Sequence, residues 1–409
     1  MSAGSARMAI SRLSGFSVSV VIVTVLGIVS IPILSAAVGQ QAWGVLALIQ
    51  TVAQFGGILV AFGWGVTGAA TIASAGGARR HAVFRQSLRA RALLYAGVAP
   101  ILAILMCLLT RGDIVVSVLG AVVYLLPNLG ASWYFAGEGR PKRLVLFDTV
   151  PTVAGAVVGL VAASITGLLV LYIVFQGIGY VVAVLLSAAV VLRDGREDAE
   201  PQMESVWRAL ANQRHAVFAN LVSGLYVTLP MVAVQIFLPA SLSMYAIADR
   251  LFKYCSLAFL PIQQFFQSWV PDPNADFRRR ATIASVAAAA IGLMAGTLIA
   301  VLSPWASGLL SVGANIVPWQ VSLPLGVAFV GIATAAVVGY ACLVVVHRVQ
   351  AIAVSTAIGA IIGAPLIVLF AALGSLPLVA WSVAISELCV ATYQVLVLRK
   401  ALAERKAAA

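Results

Sequence analysis

The sequence predicts an all-α, polytopic membrane protein with about twelve transmembrane helices in two lobes of six. Hydrophobic residues make up 62% of the 409 residues and charged residues only 9%, which leaves too little polar surface to cover a soluble globule. Apolar segments of roughly 20 residues, the length needed to cross a hydrocarbon core of about 30 Å, recur along the chain. Basic residues alternate regularly with these segments. Together the three observations exclude a soluble enzyme.

The apolar segments define the predicted helices in chain order. They cover residues 16–38, 43–73, 92–110, 114–136, 144–164, 167–192, 216–238, 243–270, 281–303, 316–346, 349–373 and 376–398. The first segment is longer than the apolar part of a signal peptide and ends at Gln40 and Gln41 without a cleavage site. We therefore expect it to be retained as the first helix.

Charge distinguishes the two sets of connections between these segments. Basic residues cluster at 79–91, 140–143, 193–214, 278–280 and 399–406. The alternate connections hold only Arg111, so the positive-inside rule predicts cytoplasmic N and C termini in a cell membrane. The formal net charge is +12, but its dispersal over many connections indicates lipid headgroups rather than nucleic acid as partners. Arg250 and Lys253 are exceptions because they fall inside an apolar segment.

A polar stretch near the middle of the chain predicts the division between the lobes. We expect a six-helix N-terminal lobe at 1–192, a cytoplasmic linker at 193–214 and a six-helix C-terminal lobe at 215–409 with a short cytoplasmic tail. The linker ends with Val206, Trp207 and Leu210, which are spaced to lie along one face of a helix at the membrane interface.

Three stretches carry a family resemblance. In 31–73 a helix ends at small residues and Gly39, and an aromatic residue with Gly44 then opens the next helix, which closes in a Gly-rich segment. Residues 133–150 form a basic inner turn, and 238–271 place a tyrosine, an acid and an arginine ahead of a proline. These stretches resemble the polysaccharide flippases, in particular the O-antigen branch of the multidrug, oligosaccharidyl-lipid and polysaccharide (MOP) exporter superfamily.

The resemblance implies a V-shaped, MATE-like pair of lobes that alternate between inward-open and outward-open states. It further implies transport of the polar head of a polyprenyl-pyrophosphate-linked oligosaccharide from the inner to the outer leaflet, for surface polysaccharide biosynthesis. The implied partners are membrane lipids, this lipid-linked oligosaccharide and glycan assembly proteins. An ion-coupled multidrug or metabolite antiporter of the same fold is the alternative, although the first two segments lack the acidic residues that cation-coupled drug exporters typically carry there. A scramblase also remains open, whereas the extra helices and charged first helix of lipid II flippases are missing.

The eighth segment holds the strongest candidate site. Helical periodicity places a polar stripe on one face, with Arg250 beside it: Tyr245, Asp249, Lys253, Ser256, Gln263 and Gln267. An ionised side chain at the membrane centre costs about 2.5–3.5 kcal/mol on insertion scales, so we expect this stripe to line a water-filled cavity. Asp249 and Lys253 can neutralise each other, which leaves Arg250 to bind a pyrophosphate bidentately. The alternative is an ion pair near the interface with Arg250 extended to the headgroups.

Two further groups of residues are weaker candidates. Trp43, Gln50 and Gln54 share a face of the second segment and offer a stacking ring with sugar hydrogen bonds; interhelical hydrogen bonding beside Gly56 and Gly57 is the alternative. Glu387 in the last segment would either carry coupling protons or satisfy a neighbouring helix. Asp148 is interpreted as an acid that complements the dipole at the start of a helix.

No motif predicts an enzyme. Nucleophile elbows, zinc-protease signatures and phosphate-binding loops are absent from the sequence. The cysteines stand alone in apolar segments, without metal-ligand spacing: Cys107, Cys255, Cys342 and Cys389. We therefore expect neither cofactor nor metal, and coupling of transport to a proton or sodium gradient or to consumption of the product outside.

Overall fold

The computed structural model describes residues 3–110, 112–195, 205–272 and 276–408, and the regular secondary structure of these residues is helical. Eleven of the described helical stretches are long and apolar enough to cross a membrane. A further helix, Leu242–Trp269, has 28 residues and so spans about 42 Å, but its polar residues make it less hydrophobic than the others. The all-α fold with about twelve spans is confirmed, and the chain is a multi-pass membrane protein.

Packing divides the chain into two compact units, Met1–Gly224 and Leu225–Ala409. Unit 1 contains α1 (Ala3–Val38), α2 (Gln40–Ala61), α3 (Trp64–Ser74), α4 (Gly77–Thr110), α5 (Ile114–Leu125), α6 (Ser132–Glu138), α7 (Pro141–Leu144), α8 (Val150–Thr166) and α9 (Leu169–Asp194). The next helix, α10 (Val206–Phe237), runs through the division. Unit 2 continues with α11 (Leu242–Trp269), α12 (Phe277–Leu310), α13 (Trp319–Val337), α14 (Val349–Ala372) and α15 (Leu376–Ala408).

Four predicted segments are interrupted rather than uniform helices. The second breaks between α2 and α3, where Phe62 and Gly63 both adopt positive φ angles, and the fourth contains a 3₁₀ turn at Leu126–Leu129. The fifth and the tenth each contain a π-helical segment, at Val145–Thr149 and Val338–Leu343. Such π segments occur often at functional sites.

Several helices extend beyond the predicted segments. Helix α4 begins at Gly77, so the basic cluster at 79–91 lies on a long helix rather than in a loop. Helix α12 continues through Pro304 to Leu310, beyond the predicted end at residue 303. The start of α4 was missed because the helix continues outside the apolar region, where hydropathy gives no signal, and the end of α12 because a proline does not end this helix.

Glycines bring pairs of helices close together inside each unit. A Cβ atom added to Gly155 of α8 would lie 2.6 Å from the carbonyl oxygen of Phe175 in α9. In unit 2, a Cβ atom on Gly296 of α12 would overlap the carbonyl oxygen of Gly326 in α13. Small residues at such crossings let the backbones approach, which is how membrane helices gain packing energy.

An aromatic cluster forms part of the core of unit 1. Its largest buried members are Trp64, Phe84, Trp133, Tyr134 and Phe135, and Leu210 packs with them. The predicted interfacial segment is the start of α10, and Leu210 is only 7% exposed, so this residue is part of the core rather than of a surface face. The side chains of Val206 and Trp207, and residues 196–204 of the predicted linker, lie outside the described residues. The predicted lobe boundaries stay a prediction.

Candidate functional site

Helix α11 separates an apolar face from a polar one. Phe252 and Phe259 pack edge-to-face on Phe329 of α13, with ring centroids 6.1 and 6.0 Å apart. The polar residues of the predicted stripe from Asp249 to Gln267 are each partly exposed. The helix continues through Pro261, so the stripe lies on one unbroken helix.

Asp249 and Lys253 form the predicted ion pair. Lys253 Nζ lies 2.6 Å from Asp249 Oδ2, and the side chains are 32% exposed for Lys253 and 13% for Asp249. Arg250, half-buried beside them, also has an interaction partner. The Asp249–Lys253 pair is therefore partly solvated, and Arg250 is not a lone guanidinium.

Tyr245 differs from the expectation that it lines a cavity. Its side chain is only 3% exposed because it lies at the edge of the stripe that adjoins the phenylalanine face. Its hydroxyl lies within electrostatic range of Asp249 and of Tyr226 on α10. Tyr245 is therefore enclosed by protein, while Gln263 and Gln267 are half-buried on the stripe.

Glu387 lies at a tight helix crossing in unit 2. A Cβ atom added to Gly331 of α13 would lie 2.7 Å from the Glu387 backbone carbonyl carbon. The enclosed hydroxyl of Tyr226 lies beside Glu387 and Ser386, without a well-aligned hydrogen bond. Ser386 donates a hydrogen bond of 2.7 Å to the carbonyl oxygen of Gly359 on α14. Helices α10, α13 and α14 thus all approach α15 near Glu387, which is half-buried.

The three candidate residues on α2 differ in how far their side chains are exposed. Trp43 is 1% exposed, so protein encloses its ring and its face is not open for sugar stacking in this structure. Gln54 is exposed, whereas Gln50 is half-buried and has an interaction partner. A Cβ atom on Gly57 would lie 2.7 Å from Asn128 Nδ2, which shows the close interhelical packing expected at this position.

Arg91 is a buried cation that the sequence grouped with the cytoplasmic basic residues. Its side chain is 1% exposed, and Nη1 donates to the carbonyl oxygens of Asn128 at 2.7 Å and Gly130 at 2.8 Å. The guanidinium lies 5.4 Å from the centre of the Trp133 ring. These carbonyls are released by the break between α5 and α6, so Arg91 satisfies backbone that the helix leaves without partners. The i, i+3, i+7 spacing with Phe84 and Ser87 was the available sequence signal, since it puts Arg91 on a buried face.

Asp148 lies inside a span rather than at a helix start. It belongs to the π-helical segment Val145–Thr149, and a Cβ atom on Gly130 would lie 3.3 Å from its Oδ1. Nearby, Tyr124 donates to Gln176 Oε1 at 2.8 Å, and Gln176 Nε2 donates to the Tyr180 hydroxyl at 3.0 Å. Asp148 in unit 1, like Glu387 in unit 2, is therefore an acid that lies near other polar groups inside a membrane span. The described residues contain no group of three or more potential metal ligands.

No family model and no curated protein sequence matches the chain. The fold is similar to that of an inward-facing multidrug resistance MATE family transporter of the MOP superfamily, with a TM-score of 0.72 and 16% identity over 94% of this chain and 95% of that one. It is also similar to the lipid II flippase MurJ in an inward closed conformation, with a TM-score of 0.71 and 11% identity over 95% of this chain and 88% of that one. A MATE protein in complex with MaD3S matches with a TM-score of 0.64 and 16% identity over 97% of this chain and 96% of that one. The chain therefore has the fold that MATE transporters of the MOP superfamily share with the flippase MurJ.

Proposed function

We propose that this protein is a transporter that flips a polyprenyl-pyrophosphate-linked oligosaccharide from the inner to the outer leaflet of the cell membrane by alternating access. The product would serve surface polysaccharide biosynthesis, and both termini would lie in the cytoplasm. The observation that carries the proposal is the partly exposed polar face of α11, where Asp249, Arg250 and Lys253 lie on one helix of a largely apolar protein.

The chemistry of this face fits an anionic, sugar-bearing head. A guanidinium binds phosphate oxygens bidentately and an ammonium binds them as a point charge, so Arg250 and Lys253 would hold the pyrophosphate. Gln263 and Gln267 would donate and accept hydrogen bonds from the sugars. The ion pair with Asp249 orients the Lys253 ammonium, and Gln50 and Gln54 would provide further sugar contacts. The lipid tail would remain in the bilayer, because an apolar chain gains nothing from entering a polar site.

A proton or sodium gradient would act through the acid at the four-helix crossing. Glu387, beside the Tyr226 hydroxyl, would exchange the proton, because an ionisable residue inside a membrane segment is expensive unless it has such a role or a partner. The same residue favours the second candidate function, an ion-coupled multidrug or metabolite antiporter. The similarity in fold to MATE transporters supports that alternative equally.

Reconstitution separates these candidates. Purified protein in proteoliposomes would be supplied with a fluorescent polyprenyl-pyrophosphate oligosaccharide, with and without an imposed proton or sodium gradient. We expect transbilayer movement above protein-free liposomes, reduced in Arg250→Ala and unchanged in the control Gln264→Ala on the exposed surface of the same helix. Absence of movement by folded protein, together with saturable efflux of a small cationic drug, would instead establish the antiporter.

A further inference from the structure

A cavity at one end of unit 2 is separate from the α11 face. It encloses about 490 Å³ between the start of α14 and the last turns of α15. This volume falls within the range of about 300–1,000 Å³ typical of ligand pockets. The basic cluster at 399–406 places this end of the unit at the predicted cytoplasmic surface of the membrane.

The polar wall of the cavity carries a net positive charge. Arg348 and Lys400 line it together with one acid, Glu404, which gives +1 when His347 is neutral. Arg348 Nη2 lies 3.0 Å from Glu404 Oε2, so one of its five N–H donors is occupied by this ion pair. Lys400 makes no hydrogen bond or ion pair with another described residue, although it borders the cavity. The wall thus offers one uncompensated cation, which matches the charge of a single phosphodiester.

The turn that presents Arg348 has an unusual backbone. His347 has a φ of 57°, in the left-handed region that few residues other than glycine adopt. The turn is held by hydrogen bonds from His347 N to Val344 O at 3.1 Å and from Arg348 N to Leu343 O at 2.9 Å. A backbone strain of this kind is retained where surrounding structure fixes it, often at ligand sites. Here it places the imidazole and the guanidinium at the same rim of the cavity.

Part of the cavity lining is apolar. It includes Val354, Val397 and Ala401, and Val354, 44% exposed, lies further along α14 from its start than Arg348 does. A soluble anion would need only the charged lining. A ligand that also uses the apolar lining has an anionic head and an apolar tail that leaves the cavity along α14 and α15.

We propose that this cavity binds the headgroup of a singly anionic glycerophospholipid, with the phosphodiester between Arg348 and Lys400 and the acyl chains beside Val354 and Val397. The ligand is a resident lipid of the inner leaflet, distinct from the transported substrate. Basic pockets between membrane helices on the cytoplasmic side bind acidic lipid headgroups by the same charge complementarity.

Native mass spectrometry of the full-length purified protein tests the proposal. We expect the protein to retain one phosphatidylglycerol and to prefer it to phosphatidylcholine. Since a basic residue near an anionic headgroup contributes about 1 kcal/mol, Lys400→Ala should weaken retention about fivefold. Arg399→Ala is the matched control, because Arg399 is an exposed cation adjacent in sequence that does not line the cavity. Equal losses in the two variants would show only general surface attraction and would overturn the proposal.

A second variant and a soluble probe separate a lipid from a free phosphate. Val397→Trp fills the apolar lining without changing any charge, and we expect it to abolish phosphatidylglycerol retention in protein whose thermal unfolding is unchanged. Glycerol 3-phosphate at millimolar concentration should produce no thermal stabilisation. If glycerol 3-phosphate stabilises wild type and Val397→Trp alike, the cavity is a soluble-anion site and the lipid assignment is wrong.

Discussion

Two cationic sites within the helices of this protein differ in burial and in the groups that they contact. Arg91 in unit 1 is 1% exposed and donates to the backbone carbonyls of Asn128 and Gly130. Arg250 and Lys253 in unit 2 are half-buried, and Lys253 pairs with a carboxylate four residues away on its own helix. The first site joins distant parts of a fold, whereas the second presents charge on one helix face. The comparison teaches that burial and the nature of the acceptors distinguish a cation that stabilises backbone from a cation that is open to a ligand.

The largest expected effect is loss of Arg91. Arg91→Leu leaves two buried carbonyls without donors, each costing about 1–3 kcal/mol, so we expect a loss of about 2–6 kcal/mol in the free energy of unfolding. The thermal unfolding temperature of purified protein measures this. Arg89→Leu is the control, because Arg89 is exposed on the same helix and its loss should change stability by about 0.5 kcal/mol or less. Similar unfolding temperatures for both variants would remove the distinction between the two cationic sites.

Arg250 should show the opposite pattern. Arg250→Ala removes a charge-assisted hydrogen bond to the substrate, which contributes about 1.5–3 kcal/mol. We therefore expect substrate affinity to fall about 10- to 100-fold, with nearly unchanged thermal unfolding. The substrate dependence of flipping in proteoliposomes gives the affinity. Full transport by a correctly inserted Arg250→Ala variant would show that this guanidinium, like that of Arg91, is structural.

Glu387 extends the comparison to an acid. Glu387→Gln preserves the shape of the side chain beside Tyr226, so we expect normal folding and basal flipping but no stimulation by an imposed gradient. The ratio of flipping rates with and without the gradient should fall to about one, since the amide cannot exchange a proton. The control Glu404→Gln alters an exposed acid and should keep the wild-type ratio. An unchanged ratio in Glu387→Gln would leave the carboxyl group with a packing role alone.

The smallest effect is expected from the α11 ion pair. The pair is partly solvated, so a double-mutant cycle with Asp249→Asn and Lys253→Met should give a coupling energy of about 1 kcal/mol or less in thermal or denaturant unfolding. A much larger coupling would mean that the pair stabilises the fold, as Arg91 does, rather than holding charges ready for substrate.

The polar face of α11 could be predicted because its residues repeat with the helical period within one segment. The Asp249 to Lys253 pair follows from the same periodicity and is present in the structure. The role of Arg91 could not be predicted in this way, because its acceptors lie 37 and 39 residues further along the chain. Hydropathy, which defined the predicted segments, is continuous across the break between α5 and α6 that exposes those carbonyls, so it did not predict the break.

The sequence by itself determined the membrane spans, their order and the polar face of α11. Length, hydropathy and helical period are properties of consecutive residues, so they can be read without knowledge of the fold. Only the tertiary structure decided that Trp43, Tyr245 and Arg91 are enclosed while Gln54 is exposed. Enclosure depends on which other helices approach, and that approach is set by contacts between residues far apart in the chain. The same limit applies to Glu387, whose chemical surroundings come from four helices and cannot be read from its own.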